Sequence, residues 1–299
     1  MSSPDTSTQY QPSLLPLPSG RNLSYHLSGP ATAPIILLSN PLLTNLSIWD
    51  PLLPPLHAAN FRTLRYDNIG HGLSTPPPLE DTDNTTFHTL AADVLSLLTS
   101  LNIPTLHAFI GVSMGGSIGI ILAAKNPGLI QNLIVCDTGV CAPIVMGIED
   151  PFAARVELAR INYDGIKVLT EQTLERWFSA GWRARNAEET ERMRRLMRTT
   201  SREGYIACCH ALRDRGYDLR PVLGGLAGKV GRVMFLVGGA DANLPEVMSG
   251  MRELVVKGVE GGGGGERVGW VVVKGSGHLP MVDNREVFLR EVLGFLEGR

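Results

Sequence analysis

Short unbroken apolar runs alternate along the chain with stretches in which apolar residues recur every three or four positions. PIILLS (residues 34–39), LHAFIG (106–111), NLIVC (132–136) and RVMFLV (232–237) are of the first kind, the pattern of strands covered on both faces. RTLRYD (62–67) and residues 268–274 read as two more strands. Residues 14–17 and 22–27 flank the turn signal Pro18-Ser19-Gly20 and predict a hairpin. Helical spacing marks residues 86–101, with Leu90, Val94, Leu97 and Leu98 on one face, together with 114–125 and 286–296. A helix is also expected over 47–59, with Pro51, Pro54 and Pro55 limiting its regularity. Eight strands in alternation with helices predict an α/β fold, built on a mostly parallel eight-stranded sheet with helices on both faces.

Residues 140–220 break this alternation. They are charged, poor in strand signals and helical in pattern, as in TLERWF and ETERMRRLMRTT. A helical insertion between two strands of a parallel sheet is expected to form a lid over one end of it. The chain thus divides into a core of residues 1–139 and 221–299 and a lid of residues 140–220. The five glycines at 261–265 predict a loop tip between a helix and a strand.

Composition narrows the function. Apolar residues at 43% against 19% charged exclude a wholly disordered chain. A net charge of −2 supplies no positive excess for a phosphate backbone, so nucleic acid is not an expected partner. The four cysteines, at 136, 141, 208 and 209, have no zinc-site spacing and read as buried thiols in a reducing compartment. The first twenty residues lack the basic start and apolar core of a secretory signal, and no 18-residue apolar run is present. A cytoplasmic protein without membrane contact is expected. Oligomeric state leaves no sequence signature here.

The chemistry centres on Gly111-Val-Ser113-Met-Gly115, of the form G-x-S-x-G. In a chain with 33 glycines the form alone is weak, but its context is specific. A predicted strand runs into it, and a helix of small residues leaves it. That strand–turn–helix lifts a serine hydroxyl clear of the sheet. A serine nucleophile needs a base, and the base needs an orienting acid. His278 follows the last strand in Gly-Ser-Gly-His, and Asp241 follows RVMFLV in Gly-Gly-Ala-Asp. Both stand at strand C-terminal ends, where open α/β sheets build their sites. Asp137, after NLIVC, is a rival acid, and His71, in the turn Gly70-His71-Gly72, a rival base. The oxyanion requires backbone N–H donors. Met114, next to the serine, is one candidate. Leu42 is the other, since the adjacent Pro41 has no N–H.

From about residue 14 to 296 the chain resembles the α/β-hydrolase superfamily, and within it the 3-oxoadipate enol-lactonases. The resemblance rests on LLSNPLLTNLSIWDPLLPPL, FRTLRYDNIGHGLS, GVSMGGSIG, LERWFSAGW and EGYIACCHALRDRGYDLR. It implies cofactor- and metal-free hydrolysis of a small lactone or ester through Ser113, His278 and Asp241. Phe152, Trp177 and Trp182 become candidate pocket walls. Arg155, Arg183 and Arg213 become candidate contacts for a substrate carboxylate, unless neighbours such as Glu149 and Asp214 pair with them. The sequence departs from the family pattern at Ile69 (usually arginine), at Leu43 (commonly glycine), at Phe152 (tryptophan expected) and in the longer segment CAPIVMGIED. The same triad also suits an esterase, a perhydrolase or a C–C bond hydrolase. A non-catalytic receptor is disfavoured because no triad member is missing.

Overall fold

The computed structural model describes residues 12–162, 164–259 and 267–298. The glycine run at 261–265 lies outside the described residues. Eight strands form one sheet: β1 (Ser13–Pro16), β2 (Asn22–Ser28), β3 (Ile35–Ser39), β4 (Arg62–Tyr66), β5 (Leu106–Val112), β6 (Ile130–Cys136), β7 (Arg232–Gly238) and β8 (Val268–Val273). Their spatial order is β1-β2-β4-β3-β5-β6-β7-β8. The hairpin β1–β2 and the pair β2–β4 are antiparallel; every other pairing is parallel.

The central strands β3, β5, β6 and β7 are buried almost throughout, which is why they read as unbroken apolar runs. The edge strand β8 is only partly covered. The expected helix over 47–59 divides at its prolines. Leu46–Leu52 is a 3-10 helix containing Pro51, and Leu53–Ala58 continues as an α-helix. Proline removes the N–H that a continuous α-helix would need there.

The helix Phe87–Ser100 buries Leu90, Ala91, Val94, Leu97 and Leu98 and is capped by a reciprocal pair. The Thr86 hydroxyl accepts from the Thr89 N–H at 3.2 Å, and the Thr89 hydroxyl accepts from the Thr86 N–H at 2.9 Å. Between β6 and β7 the chain forms helices at Pro143–Met146, Ala153–Ile161, Gly165–Trp177, Ala180–Arg185, Ala187–Met197, Arg202–Arg213 and Arg220–Leu223. The two ends of this stretch are stapled together. Cys141 and Asp218 form an antiparallel bridge, the Ala142 N–H donates to the Tyr217 carbonyl at 2.9 Å, and the Leu219 N–H donates to the Val140 carbonyl at 2.9 Å. The far side of the stretch rests on loops of the sheet. The Ser201 N–H donates to the Gly70 carbonyl at 2.8 Å, and Arg192 Nη1 donates to the Ser47 carbonyl at 2.9 Å.

Losing the Thr86 cap is expected to destabilise the protein by about 1 kcal/mol. Urea unfolding of Thr86→Ala should show this as a lower midpoint at an unchanged slope, with hydrolytic activity unaffected.

Candidate active site

β5 enters a turn that the surrounding backbone forces into an uncommon shape. Ser113 has φ 56° and ψ −120°, in the half of backbone space that L-residues avoid. Its N–H donates to the Cys136 carbonyl at 2.8 Å, and the helix Met114–Lys125 starts at the next residue. Gly115 presses against Ser39 at the end of β3, so closely that a Cβ would collide with the Ser39 carbonyl. Ser113 is partly exposed at the C-terminal ends of the strands, at the positive end of that helix.

The loop after β3 lies beside the same helix start. Among the described residues, neither the Leu42 nor the Met114 backbone N–H has a hydrogen-bond partner, so both remain available to an anion. Leu43, at φ 67°, is held in place by His71. The Leu43 N–H donates to His71 Nε2 at 3.0 Å, and His71 Nδ1 donates to the Ile69 carbonyl at 2.8 Å. The two bonds fix one neutral tautomer. Complete burial lowers the His71 pKa to about 4, against a smaller raising effect from the bond to Ile69. His71 therefore sits under the loop as a strut and does not face the serine as a base.

The loops after β7 and β8 touch through glycines. A Cβ on Gly238 would collide with the Gly277 carbonyl, and the Ala240 N–H donates to the Ser276 carbonyl at 2.8 Å. This contact brings Asp241 and His278 together, with His278 Nδ1 to Asp241 Oδ2 at 2.7 Å. Asp283 braces the histidine loop. Its Oδ2 accepts from the Gly277 N–H at 2.7 Å, and its Oδ1 accepts from the Ser276 hydroxyl. No hydrogen bond joins the Ser113 hydroxyl to His278 among the described residues. Catalytic hydrogen bonds are commonly loose without substrate.

One carboxyl oxygen of Asp137, one of Asp241 and a His278 ring nitrogen lie within 4.8 Å of one another. Asp137 is fully buried behind the pair and makes no hydrogen bond to the imidazole; the histidine is bonded to Asp241.

A model of the alpha/beta hydrolase family matches residues 43–291. The chain belongs to the alpha/beta hydrolase family. This hydrolase is 33% identical over 203 residues to 3-oxoadipate enol-lactonase 2 of Acinetobacter baylyi, covering 67% of this chain and 70% of that protein. It is 32% identical over 193 residues to enol-lactonase 1 of the same organism, covering 64% and 68%. The solved enol-lactonase from Burkholderia xenovorans LB400 superposes with a TM-score of 0.81 at 29% identity, covering 95% of this chain and all of that one. The protein is a hydrolase acting on carboxylic ester bonds, most like the enol-lactonases. Among the described residues, no helix is long and apolar enough to cross a membrane.

The site candidates of this hydrolase between β6 and β7 fall into distinct places. Trp177 stacks on the His278 ring at 5.0 Å between centroids. Trp182 stacks on Phe178 at 4.5 Å, and these three aromatics share a cavity of about 240 Å³ with Lys274. Phe152 is half-buried under the Arg155 guanidinium, 5.3 Å from its ring. Arg183 lies 3.9 Å from Glu175, and Arg213 pairs closely with Asp150. Among the described residues, Arg155 has no carboxylate partner, and neither has Arg176, which was not singled out from the sequence. Arg176 donates to Thr173 Oγ1 at 3.0 Å. Solvent reaches its side chain, yet the surrounding protein, followed by the Arg155 charge, lowers its pKa to about 10. Only the tertiary fold brings these two guanidiniums near each other and Arg176 near Asp241.

The depressed His71 pKa makes stability pH-dependent. Below the ordinary histidine value the unfolded chain takes up a proton that the folded chain refuses until about pH 4. Stability is therefore lost as pH falls from about 6.5 to 4, by about 3 kcal/mol from this residue. Urea unfolding of wild type and His71→Gln at several values across that window should give a flatter pH dependence for the variant. Parallel dependences would show that His71 is not buried neutral.

Proposed function

We propose that this hydrolase opens a small lactone of the enol-lactone type, or cleaves a related ester, through Ser113, His278 and Asp241. The observation that carries the reading is the 2.7 Å bond between His278 Nδ1 and Asp241, on loops that follow β7 and β8 of the sheet whose strand β5 leads into the strained turn at Ser113. Ser113 Oγ attacks the acyl carbon while His278 Nε2 takes its proton. Asp241 holds the Nδ1–H tautomer and stabilises the imidazolium. The Leu42 and Met114 N–H groups receive the oxyanion. Collapse breaks the acyl–oxygen bond. The enolate leaving group is stable enough to depart unaided, then takes the proton held by the His278 imidazolium and becomes a ketone, which returns the imidazole to its neutral form. Water, deprotonated by His278, then attacks the acyl-serine and releases the acid. No metal or cofactor enters this route.

Residues 140–220 act as the lid of this site. Its stapled base and its contacts with the loops after β3 and β4 support that role. Trp177 packs the histidine, and Phe152 and Trp182 wall the space beyond it. Of the lid arginines, Arg155 and Arg176 meet the substrate carboxylate, because Arg183 and Arg213 already have acidic partners. The four cysteines are free and buried, which supports a cytoplasmic setting.

Two experiments test the reading. Ser113→Ala and His278→Ala should each abolish turnover with the fold intact, and the double variant should lose little more than either alone. Asp241→Asn should lower kcat about 10,000-fold, because an amide favours the wrong imidazole tautomer. Additive losses would break the unit. In the second, kcat/KM is compared for an enol-lactone acid and its methyl ester. Arg155→Gln and Arg176→Gln should lower the acid-to-ester ratio, and Arg183→Gln and Arg213→Gln should leave it. A ratio unmoved by all four removes the anionic substrate.

A further inference from the structure

Asp137 is unused in the route above, yet it is the most deeply buried carboxyl near the site. It follows β6 directly, with no solvent exposure and a left-handed backbone at φ 45°. Its two oxygens have different surroundings. Oδ1 accepts the Gly238 N–H at 2.8 Å. Oδ2 is buried and receives no hydrogen bond from any N–H or O–H group of the described residues. A carboxylate would leave a buried anionic oxygen without a donor, an arrangement of high cost. A neutral carboxylic acid fits both surroundings, with a carbonyl oxygen that accepts and a hydroxyl that donates. The acceptor on offer is Asp241, whose carboxyl lies within the same 4.8 Å cluster. Among the described residues, His278 is the sole hydrogen-bond donor to the Asp241 side chain. One carboxyl oxygen receives no donor, and the neighbouring carboxylate, bonded only by His278, can accept another proton donor.

We propose that Asp137 is a positioning residue, a neutral acid whose Oδ2–H donates to the Asp241 carboxylate and completes a chain Asp137–Asp241–His278. Burial, and then the negative charge of Asp241, drive the Asp137 pKa well above the usual carboxylate range, with a smaller push from Asp283 and an opposing pull from the Gly238 N–H. The other groups around it are His278, on the loop after β8, and the fully buried Cys136 thiol on β6. Arg176 acts on Asp241 from the lid. The donated proton has two effects. It fixes the Asp241 carboxylate in the orientation that meets Nδ1, and it draws negative charge away from the imidazole, which keeps His278 a weaker base than a lone Asp241 would make it.

The proposal rests on reading Ser113, His278 and Asp241 as the catalytic unit, and two measurements separate the claims. In the first, kcat/KM for a short aryl acetate is followed against pH in wild type, Asp137→Asn and Asp137→Ala. Asparagine keeps an N–H donor for Asp241 and an acceptor for Gly238, so its rate should stay within about threefold of wild type. Alanine removes the donor and should cost about 10- to 100-fold, the worth of a hydrogen bond to a charged group. Its acid limb should also move to higher pH, because an unrelieved Asp241 charge raises the basicity of His278. An asparagine variant as impaired as alanine, or an alanine variant with an unmoved acid limb, overturns the proposal. In the second, the infrared C=O stretch of a neutral carboxylic acid is sought at pH 7 in Ser113→Ala protein, with and without Asp137→Asn. A band that the substitution removes supports the shared proton, and its absence overturns it. This reading needs neither turnover nor a folded alanine variant. Activity that survives Ser113→Ala would instead overturn the catalytic unit itself.

Discussion

Two backbones in contact hold the site together. Ser39, at the end of β3, abuts Gly115, in the first turn of the helix that follows Ser113, with no room for a side chain between them. The parallel register that sets Ser39 opposite Gly111 creates this approach. From it follow the sharp turn at Ser113 and the placing of the loop that carries Leu42 next to the start of the helix Met114–Lys125. A backbone in a disfavoured region costs of the order of 1–3 kcal/mol. The helix Met114–Lys125 offsets that cost by burial, for ten of its residues, from Met114 to Ala123, are inside the protein.

The acid–base side of the site is built by a second close approach, that of Gly238 and Gly277, and by an unusual density of carboxyls. Asp137, Asp241 and Asp283 come from three separate stretches of chain and each influences another. Burial raises the pKa of both Asp137 and Asp283, whereas hydrogen bonds from Ser276 and Gly277 oppose the shift at Asp283. Like charges this close cannot all be ionised at low cost. The residues around His278 therefore differ in role through their donors: Asp283 holds a loop, Asp241 meets the imidazole, and Asp137 lies behind.

Much of this arrangement was legible in the sequence, for a physical reason. Strands buried on both faces must be apolar throughout, and β3, β5, β6 and β7 announce themselves. Polar residues immediately after such runs, as at Ser113, Asp137, Asp241 and His278, emerge at one end of the sheet by topology alone. Where the sequence leaves Asp137 and Asp241 as alternatives, the structure puts Asp241 on the imidazole and Asp137 against Asp241. Two positions in one cluster cannot be ordered without the β6–β7 geometry. The strut formed by His71 beneath Leu43 was illegible because it depends on a contact between the loops after β3 and β4. The closeness of Arg155 and Arg176 was illegible for a similar reason: they lie on separate helices, and helical periodicity does not specify how one helix crosses another.

The staple at Cys141 and Asp218 has a consequence for how such a protein diversifies. Because the chain leaves the sheet and returns to it at nearly one point, β6 and β7 register with each other regardless of what lies between. The entropic penalty of lengthening a closed excursion grows only logarithmically. Residues can thus be added to or removed from the excursion without shifting a strand by a single pairing. The arrangement uncouples two parts of the chain: a frame whose strand pairing is fixed, and an excursion whose length and composition are free to change without disturbing it.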